Sequence, residues 1–182
     1  MKRFWYHHIR LTDPPVARFL FGDTHASWLW LVVRIYVAQE WLVSGWGKVT
    51  SAAWTGSGAG SALSEFINGA LVKMGGAHPD VQGWYGTFLR DVVLPHIGVW
   101  SRIVAFGELA VGLGLFLGAF TGIAAFFGLF MNFNFLLAGT VSTNPVLLIL
   151  GVLLVLAWKN AGYWGLDRWL LPWLGVPWHA PN

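Results

Sequence analysis

The chain has 182 residues, of which 56% are hydrophobic and 10% are charged, and its net charge is +3. An ordinary soluble domain carries about 25% charged residues, and a single soluble core cannot hide this much apolar surface, so the composition predicts a protein of the lipid bilayer. The small charge gives no reason to expect a nucleic-acid partner, and the absence of cysteine excludes thiolate catalysis, covalently attached c-type haem and cysteine-ligated iron–sulfur clusters.

The leader, residues 1–26, is aromatic and basic and is predicted to be cytoplasmic. Its lysine and arginine residues are Lys2, Arg3, Arg10 and Arg18. It does not have the form of a cleavable signal, because its apolar stretch starts late and no small-residue cleavage site follows a short hydrophobic core. Pro14 and Pro15 end any earlier helix, and we expect residues 16–22 to lie along the membrane surface.

The first predicted span, residues 27–48, is the helix around which the rest of the chain is organised. It is long and apolar enough to cross a bilayer, yet it contains Arg34 and Glu40. A charge in hydrocarbon costs roughly 3 kcal/mol on insertion scales, so it is retained only where it meets a partner, water or a ligand. Glu108 in the second span raises the same question. Pairing that only locks the bundle is the alternative to function, but desolvation offsets most of the gain from a buried ion pair, which favours function.

The long connection at residues 49–99 is predicted to form an outer cap. It opens with a run rich in Gly, Ser and Ala, and two moderately amphipathic stretches follow. Because structureless loops of this length are uncommon in compact domains, we expect two short helices packed on the bundle. A mobile, solvated loop is the alternative.

Three further spans are predicted at residues 100–118, 121–140 and 145–163, followed by a Trp-rich interfacial tail at 164–182. The connection between the second and third spans is so short that they form an antiparallel hairpin. The predicted fold class is an all-α integral membrane protein, a four-transmembrane-helix bundle with a capping loop of short helices. The distribution of Lys and Arg favours a multi-pass protein of the plasma membrane with both termini cytoplasmic.

Three polar side chains on different spans are predicted to share one depth. At a rise of about 1.5 Å per residue, Glu40, Glu108 and Asn132 each lie about 11 to 12 Å inward from the outer end of their span. The helix face that carries Glu108 is rich in small residues, which suits a helix interface; these residues are Ser101, Ala105 and Gly112. We therefore predict a polar cavity in the outer half of the bundle, with Glu40 and Glu108 as its catalytic acids.

The sequence leaves two alternatives open for these residues. Arg34 and Glu108 form a pair if the Arg34 side chain reaches across the difference in depth. Asn132 and Asn134 lie on different helix faces, so at most one of them faces the cavity, and hydrogen bonding between helices is the more ordinary role for both.

The mouth of this cavity is predicted to bind a small anion, since cationic groups at an aqueous opening attract anions. The predicted substrate-binding residues are Arg34, Lys48, Arg102, Trp46, Trp54, His78 and Asn132. Each residue also has an ordinary alternative role. Lys48 and Arg102 could be snorkelling anchors, the tryptophans could be interfacial aromatic residues, and His78 could belong to a simple turn. No histidine lies well inside a span, so the sequence predicts neither a haem nor a metal site.

Motifs spread along the chain carry a family resemblance. They are R-I-Y…Q-E-W-L-V-S-G-W-G-K in the first span, G-G-A-H-P-D-V-Q-G-W-Y in the loop, A-F-G-E-L-A-V-G-L in the second span, F-M-N-F-N-F-L-L-A-G-T-V-S-T-N-P across the third and fourth, and G-L-D-R-W-L-L-P in the tail. In this order, over residues 27–172, they resemble the DoxX/DoxD-like membrane proteins. The resemblance implies a four-helix membrane bundle associated with thiosulfate:quinone oxidoreductase, which oxidises thiosulfate to tetrathionate and passes electrons to quinone. It assigns no catalytic residue.

The resemblance implies quinone as electron acceptor and a small sulfur anion as donor. Thiosulfate is a small dianion that suits a cationic mouth, and the two buried acids would supply the protons that quinone reduction needs. Because the chain encodes no redox centre, either the sulfur donor reacts directly at the quinone or a second redox subunit is required. The alternatives are a non-catalytic membrane anchor or scaffold for soluble redox proteins, and a channel or carrier, which would need a homo-oligomer because the spans show no internal repeat.

Overall fold

A computed structural model describes residues 12–176 and residue 178. All regular secondary structure in this part of the chain is helical. The helices are α1 Pro15–Gly22, α2 Ser27–Val49, α3 Ser61–Val72, α4 Gly83–Phe88, α5 Ile97–Leu117, α6 Thr121–Leu137, α7 Asn144–Leu156 and α8 Asp167–Trp173. The predictions that concern Lys2, Arg3, Arg10 and the extreme end of the tail fall outside the described residues.

The four long helices α2, α5, α6 and α7 surround one apolar core. Helix α2 packs against α5, α5 against α6, and α6 against α7, and α7 closes the ring by contacting α2. The largest buried apolar residues between them are Trp30, Val37, Trp41, Val111, Leu115, Leu147 and Leu154. The core therefore lies on the axis of the bundle, and each helix directs one face inward.

Two of the predicted spans match helices closely and two differ. Helices α2 and α6 begin where spans 27–48 and 121–140 were predicted. Helix α5 starts earlier than residue 100, because α4, a π-helical turn and a 3-10 turn continue into it as one 35-residue helical rod, Gly83–Leu117. Helix α7 ends at Leu156 rather than near residue 163.

The early end of α7 has a local cause. The chain after Leu156 passes into turns, in which Asn160 is buried. The side-chain amide of Asn160 donates hydrogen bonds to the carbonyl oxygens of Leu20 (2.9 Å) and Asp23 (2.8 Å). These bonds join the end of the bundle to the segment between α1 and α2, where the backbone N–H and ring of His25 hold the pKa of the Asp23 carboxyl below its usual value.

The faces of the four long helices that point away from the core are mostly apolar. Among the described residues, only the Gly83–Leu117 rod is both long and apolar enough to cross a membrane by itself. The prediction that α2 has both properties is not confirmed, because Arg34, Gln39, Glu40 and Lys48 lower its mean hydropathy, and α6 and α7 are apolar but shorter. Large apolar side chains are nevertheless exposed on all four helices; they include Val32, Val43, Ile103, Phe106, Phe116, Ile123, Phe127, Phe130, Val146, Ile149 and Leu156. Apolar surface of this extent is rare on soluble monomers and marks a contact with lipid or protein.

The segment between α2 and α5 is packed on the end of the bundle where α2 ends, which we call the outer end. A second apolar cluster joins Leu63 and Ile67 of α3 to Tyr85 and Leu89 of the rod and to Ala138, which follows α6. The Lys73 ammonium donates to the carbonyl oxygen of Gly139 at 2.6 Å. This segment has the two helices expected for a cap, but the second of them is continuous with α5.

Candidate functional site

A buried ion pair joins α2 to α5 at the outer end of the bundle. Lys48 Nζ lies 2.6 Å from Glu108 Oε2. The Ser44 hydroxyl donates to the same carboxylate oxygen at 2.8 Å, and Lys48 Nζ also donates to Ser44 Oγ at 2.6 Å. The side chain of Glu108 is 1% exposed, whereas that of Lys48 is 20% exposed. We call these three residues the Lys48–Glu108 cluster.

The local sequence explains how this cluster forms. Ser44 and Lys48 are four residues apart on α2, so their side chains project from the same helix face. Gly45 allows α5 to approach closely, since a Cβ atom there would lie 2.5 Å from the backbone nitrogen of Leu109. The small-residue face predicted for the second span is confirmed, because its members are all buried; they are Ser101, Ala105, Glu108 and Gly112. Glu108 and Gly112 lie directly against α2.

The start of the cap covers the cluster. The Lys48 ammonium lies over the ring of Trp54, 5.1 Å from its centroid, a geometry that stabilises a cation by cation–π attraction. The Ser101 hydroxyl donates to the carbonyl oxygen of Trp54 at 2.6 Å and so fixes this segment to α5. Lys48 and Trp54, both predicted at the mouth, are therefore brought together.

The predicted shared depth holds for two of its three residues. Trp41, Val111 and Gly128 mark one layer of the core, since a Cβ atom on Gly128 would lie 2.9 Å from Val111 Cγ1 and 3.2 Å from Trp41 Nε1. Helix α5 runs away from the outer end of the bundle, and Glu108 comes three residues before Val111 on it. Helix α6 runs back toward the outer end, and Asn132 comes four residues after Gly128 on it. Both therefore lie about one helical turn outward from this layer.

Glu40 does not share that depth. Glu108 packs against Gly45, and Glu40 is five residues, or about 7.5 Å, further inward on α2. The prediction was wrong for Glu40 because it placed Trp100 at the outer end of its helix, level with Lys48, whereas the helical rod extends outward past Trp100. Glu40 is half-buried and has no ion pair or side-chain hydrogen bond with any other described residue.

Asn132 is buried without a partner. Its side chain is 1% exposed, and neither its amide nitrogen nor its amide oxygen has a hydrogen-bond partner among residues 12–176 and 178. An unpaired buried polar group costs about 1 to 3 kcal/mol. The amide is therefore an unsatisfied polar group of the core at the depth of Glu108.

Arg34 lies at the opposite end of the bundle from the cluster. Its guanidinium donates to the carbonyl oxygens of Leu115 (2.5 Å), Phe116 (3.1 Å) and Trp164 (3.0 Å). Arg34 thus binds the carbonyl end of α5, where the helix dipole favours a cation. The alternative Arg34–Glu108 pair does not form, because Leu115 is seven residues, or about 10 Å, beyond Glu108 along α5.

A carboxylate completes the arrangement at this end. Asp167, which is fully buried, accepts hydrogen bonds from the backbone N–H groups of Phe120 (2.6 Å) and Thr121 (2.9 Å) at the start of α6. Phe120 has a φ of 48°, a strained value for a bulky side chain that these bonds help to hold. Arg34 and Asp167 therefore hold the turn between α5 and α6 from its two sides.

The remaining predicted binding residues do not converge on the cluster. Trp46 is 63% exposed on the outward side of α2. Arg102 is exposed and donates to the carbonyl oxygen of Gly98 at 3.0 Å. His78 is exposed in the loop between α3 and α4.

An apolar groove lies on the side of α5 that faces away from the Lys48–Glu108 cluster. It has a cavity volume of about 640 Å³ and runs between α5, α6 and the cap. Its lining residues include Leu63, Phe66, Phe88, Ile103, Gly107, Ala110, Phe120, Phe127 and Phe130. Ala110 is about 200° around the helix from Glu108, so the groove and the cluster are separated by the body of α5.

One polar pair lines the groove at its outer end. The Tyr85 hydroxyl lies within hydrogen-bond distance of two acceptors on Asn134, the backbone carbonyl oxygen (3.0 Å) and the side-chain Oδ1 (3.1 Å). Asn134 lines the groove, whereas Asn132 is buried in the core, so the predicted difference between their faces is confirmed.

Sequence reasoning missed Ser44, Tyr85 and Asp167. The spacing of Ser44 from Lys48 was a usable signal, since residues four apart meet on a helix. Nothing local marked Tyr85 or Asp167, whose partners are 49 and 46 or 47 residues away.

Comparison with protein-family models, with curated proteins and with solved structures found no match. Within residues 12–176 and 178, no group of three His, Asp or Glu side chains is arranged to hold a metal ion.

Proposed function

We propose that the chain is an integral membrane protein whose helices α2, α5, α6 and α7 cross the bilayer, and that it passes electrons from a small sulfur anion such as thiosulfate to quinone. Support for the bilayer placement comes from the apolar outward faces of all four helices and from the Gly83–Leu117 rod. In water these faces would remain exposed, whereas hydrocarbon covers them at no cost.

The groove is the observation that carries the proposal. An isoprenoid quinone has a polar ring and a long apolar tail, and the groove offers Tyr85 and Asn134 at one end and an apolar lining elsewhere. Along α5 the groove extends from Trp100 to Gly114, which is about 21 Å at 1.5 Å per residue. The quinone ring would lie beneath the cap and the tail would follow α5 toward Phe120.

The Lys48–Glu108 cluster is the proposed donor side. The side chain of Lys48 is 20% exposed and its ammonium lies over the Trp54 ring, where its charge would attract an anion from the aqueous side. The unpaired amide of Asn132 supplies a further hydrogen-bond donor at this depth. Glu108 is the acid proposed to exchange protons with the mouth through its contacts with Ser44 and Lys48, and Glu40 is too deep to share that role.

The overall reaction balances without a metal. Two thiosulfate ions form the central S–S bond of tetrathionate and release two electrons, and the quinone takes these electrons together with two protons to become quinol. Since α5 separates the cluster from the groove, the electrons cross this helix or are carried by a second redox subunit.

The test is anaerobic quinol formation by the purified protein in nanodiscs with thiosulfate. Ala110→Phe, which places a ring in the groove, is expected to raise the KM for quinone at least about tenfold, since a lost contact of 1.4 kcal/mol corresponds to that factor. Val152→Phe on the exposed face of α7 is the matched control and should leave KM unchanged. The proposal would be contradicted if quinol formation did not depend on thiosulfate, or if the two variants had equal KM values for quinone.

A scaffold that recruits soluble redox proteins is the second candidate. It is favoured by the apolar surface of the α8 region, where Trp169, Trp173 and Leu174 are 66%, 92% and 64% exposed. In that case Trp173→Ser would abolish capture of the redox partner, while Ala110→Phe would have no effect.

A further inference from the structure

A continuous row of exposed residues follows the outward face of α2. Its members are Trp28, Val32, Ile35, Gln39, Val43 and Trp46, and we call this row the α2 stripe. The spacings are four, three, four, four and three residues, which is the pattern of a seam between two packed helices. The buried face of α2, which includes Arg34, Ala38 and Trp41, points into the bundle. Apart from Trp28, whose ring centroid lies 4.4 Å from that of Trp164, the stripe is left unpartnered among the described residues.

Gln39 is the unusual member of this stripe. It is the one exposed polar side chain, aromatic residues aside, in a set of four helical segments. These are α2 from Trp28 to Trp46, α5 from Ile103 onward, α6 and α7. It lies near the middle of α2 and makes no side-chain hydrogen bond with another described residue. A carboxamide that faces hydrocarbon at this depth loses its hydrogen bonds to water and needs a partner that can both donate and accept.

We infer that the α2 stripe binds the α2 stripe of a second copy of this chain within the membrane, with the two Gln39 carboxamides hydrogen-bonded to each other. A carboxamide carries a donor and an acceptor, so two copies related by a two-fold axis are complementary at this position. Lipid tails offer neither group. The inference depends on the bilayer placement given under the proposed function, but not on the sulfur or quinone chemistry.

The other helices lack this feature. The exposed residues of α6 and α7 are apolar throughout, and the outward face of α5 inward of Arg102 is apolar as well. Polar side chains stabilise helix association in membranes because they hydrogen-bond across the interface. The α2 stripe is therefore the face at which the donor–acceptor match selects a second copy.

Disulfide cross-linking tests this inference, because the chain has no cysteine and each introduced thiol reports one position. Val32→Cys and Val43→Cys lie on the stripe, while Ile123→Cys on α6 and Ile149→Cys on α7 are controls of similar exposure. In phosphatidylcholine vesicles at high lipid-to-protein ratio, the stripe variants should give disulfide-linked dimers and the controls should not. Equal yields at all four positions would overturn the inference.

A second variant tests the role of the carboxamide. Gln39→Leu, added to Val43→Cys, should lower the dimer yield about tenfold, which corresponds to 1.4 kcal/mol, while Gln39→Asn should preserve most of it. An unchanged yield with Gln39→Leu would overturn the inference. Carbonate extraction distinguishes dimer formation from bilayer placement. A chain that stays in the membrane but gives no dimer overturns this inference alone. A chain that is released overturns the bilayer placement as well.

Discussion

At the scale of residues, the ion pair between Lys48 and Glu108 is unequal in burial. Glu108 has 1% of its side chain exposed and Lys48 has 20%. A long lysine side chain can move its ammonium toward water when its partner is lost, whereas the carboxylate of Glu108 has no such route. The two members of the pair should therefore respond differently to substitution.

Lys48→Met is expected to destabilise the protein more than Glu108→Gln. The first variant leaves a buried acid unpaired, a change that costs about 3 to 5 kcal/mol, and the second loses charge-assisted hydrogen bonds worth about 1 to 3 kcal/mol. Chemical unfolding in detergent micelles, followed by tryptophan fluorescence, measures both. The double variant should be more stable than Lys48→Met alone, and a simple sum of the two losses would contradict this account.

Arg34 provides a second residue-scale prediction. Its planar guanidinium contacts three carbonyl oxygens on two segments, a geometry that a lysine ammonium cannot reproduce. Arg34→Lys should lower the free energy of unfolding by about 2 kcal/mol, in line with the loss of hydrogen bonds to a charged group. The KM for thiosulfate should stay unchanged, because Arg34 is remote from the cluster. A raised KM for thiosulfate in a fully folded variant would show that Arg34 contributes to substrate binding.

At the scale of elements, the close contact of α2 with α5 depends on one glycine. A Cβ atom on Gly45 would meet backbone atoms of Glu108 and Leu109 within 3 Å, and backbone cannot rotate away as a side chain can. Two residues further along α2, Gly47 has open space where its Cβ would be. The two glycines thus form a natural pair for testing helix approach.

Gly45→Ala should destabilise the protein by about 1 to 3 kcal/mol, the usual cost of overpacking. Gly47→Ala should stabilise it by about 0.5 to 1 kcal/mol, because alanine is the better helix former. Both are measured by unfolding under the same conditions. Similar effects of the two substitutions would show that α2 and α5 are not held as closely as described here.

At the scale of the whole molecule, the groove extends along most of the α5–α6 pair. A ligand that fills it should bind through its tail as well as its ring, since a longer tail makes more packing contacts with the lining side chains. The length of the tail is therefore a direct probe of the groove.

A long-chain quinone should raise the thermal stability of the protein more than a short-chain quinone with the same ring. At a concentration 100 times its Kd, a ligand adds about 2.7 kcal/mol to the free energy of unfolding. Thermal unfolding in nanodiscs, with each quinone at equal concentration, measures the difference. Ala110→Phe should remove it, and equal stabilisation by both quinones in the unsubstituted protein would place the ligand elsewhere.

The sequence by itself determined the faces of the long helices and the bounds of some of them. Composition and the helical period are local properties, so the bounds of α2, the buried row from Ser101 to Gly112 and the different faces of Asn132 and Asn134 followed directly. The shared depth of Glu108 and Asn132 agrees with the prediction, although the prediction counted from Trp100 and the rod extends past that residue.

Only the tertiary structure decided the partners. Arg34 binds backbone carbonyls, which every residue has, so no side-chain pattern marks them. Asp167 holds a turn 46 residues earlier in the chain, and the register of α5 against α2, which excluded Glu40 from the cluster, depends on how far the rod extends past Trp100. Such contacts are set by the packing of distant segments, and the physical reason they escape sequence analysis is that helical periodicity fixes a residue's face but not what that face meets.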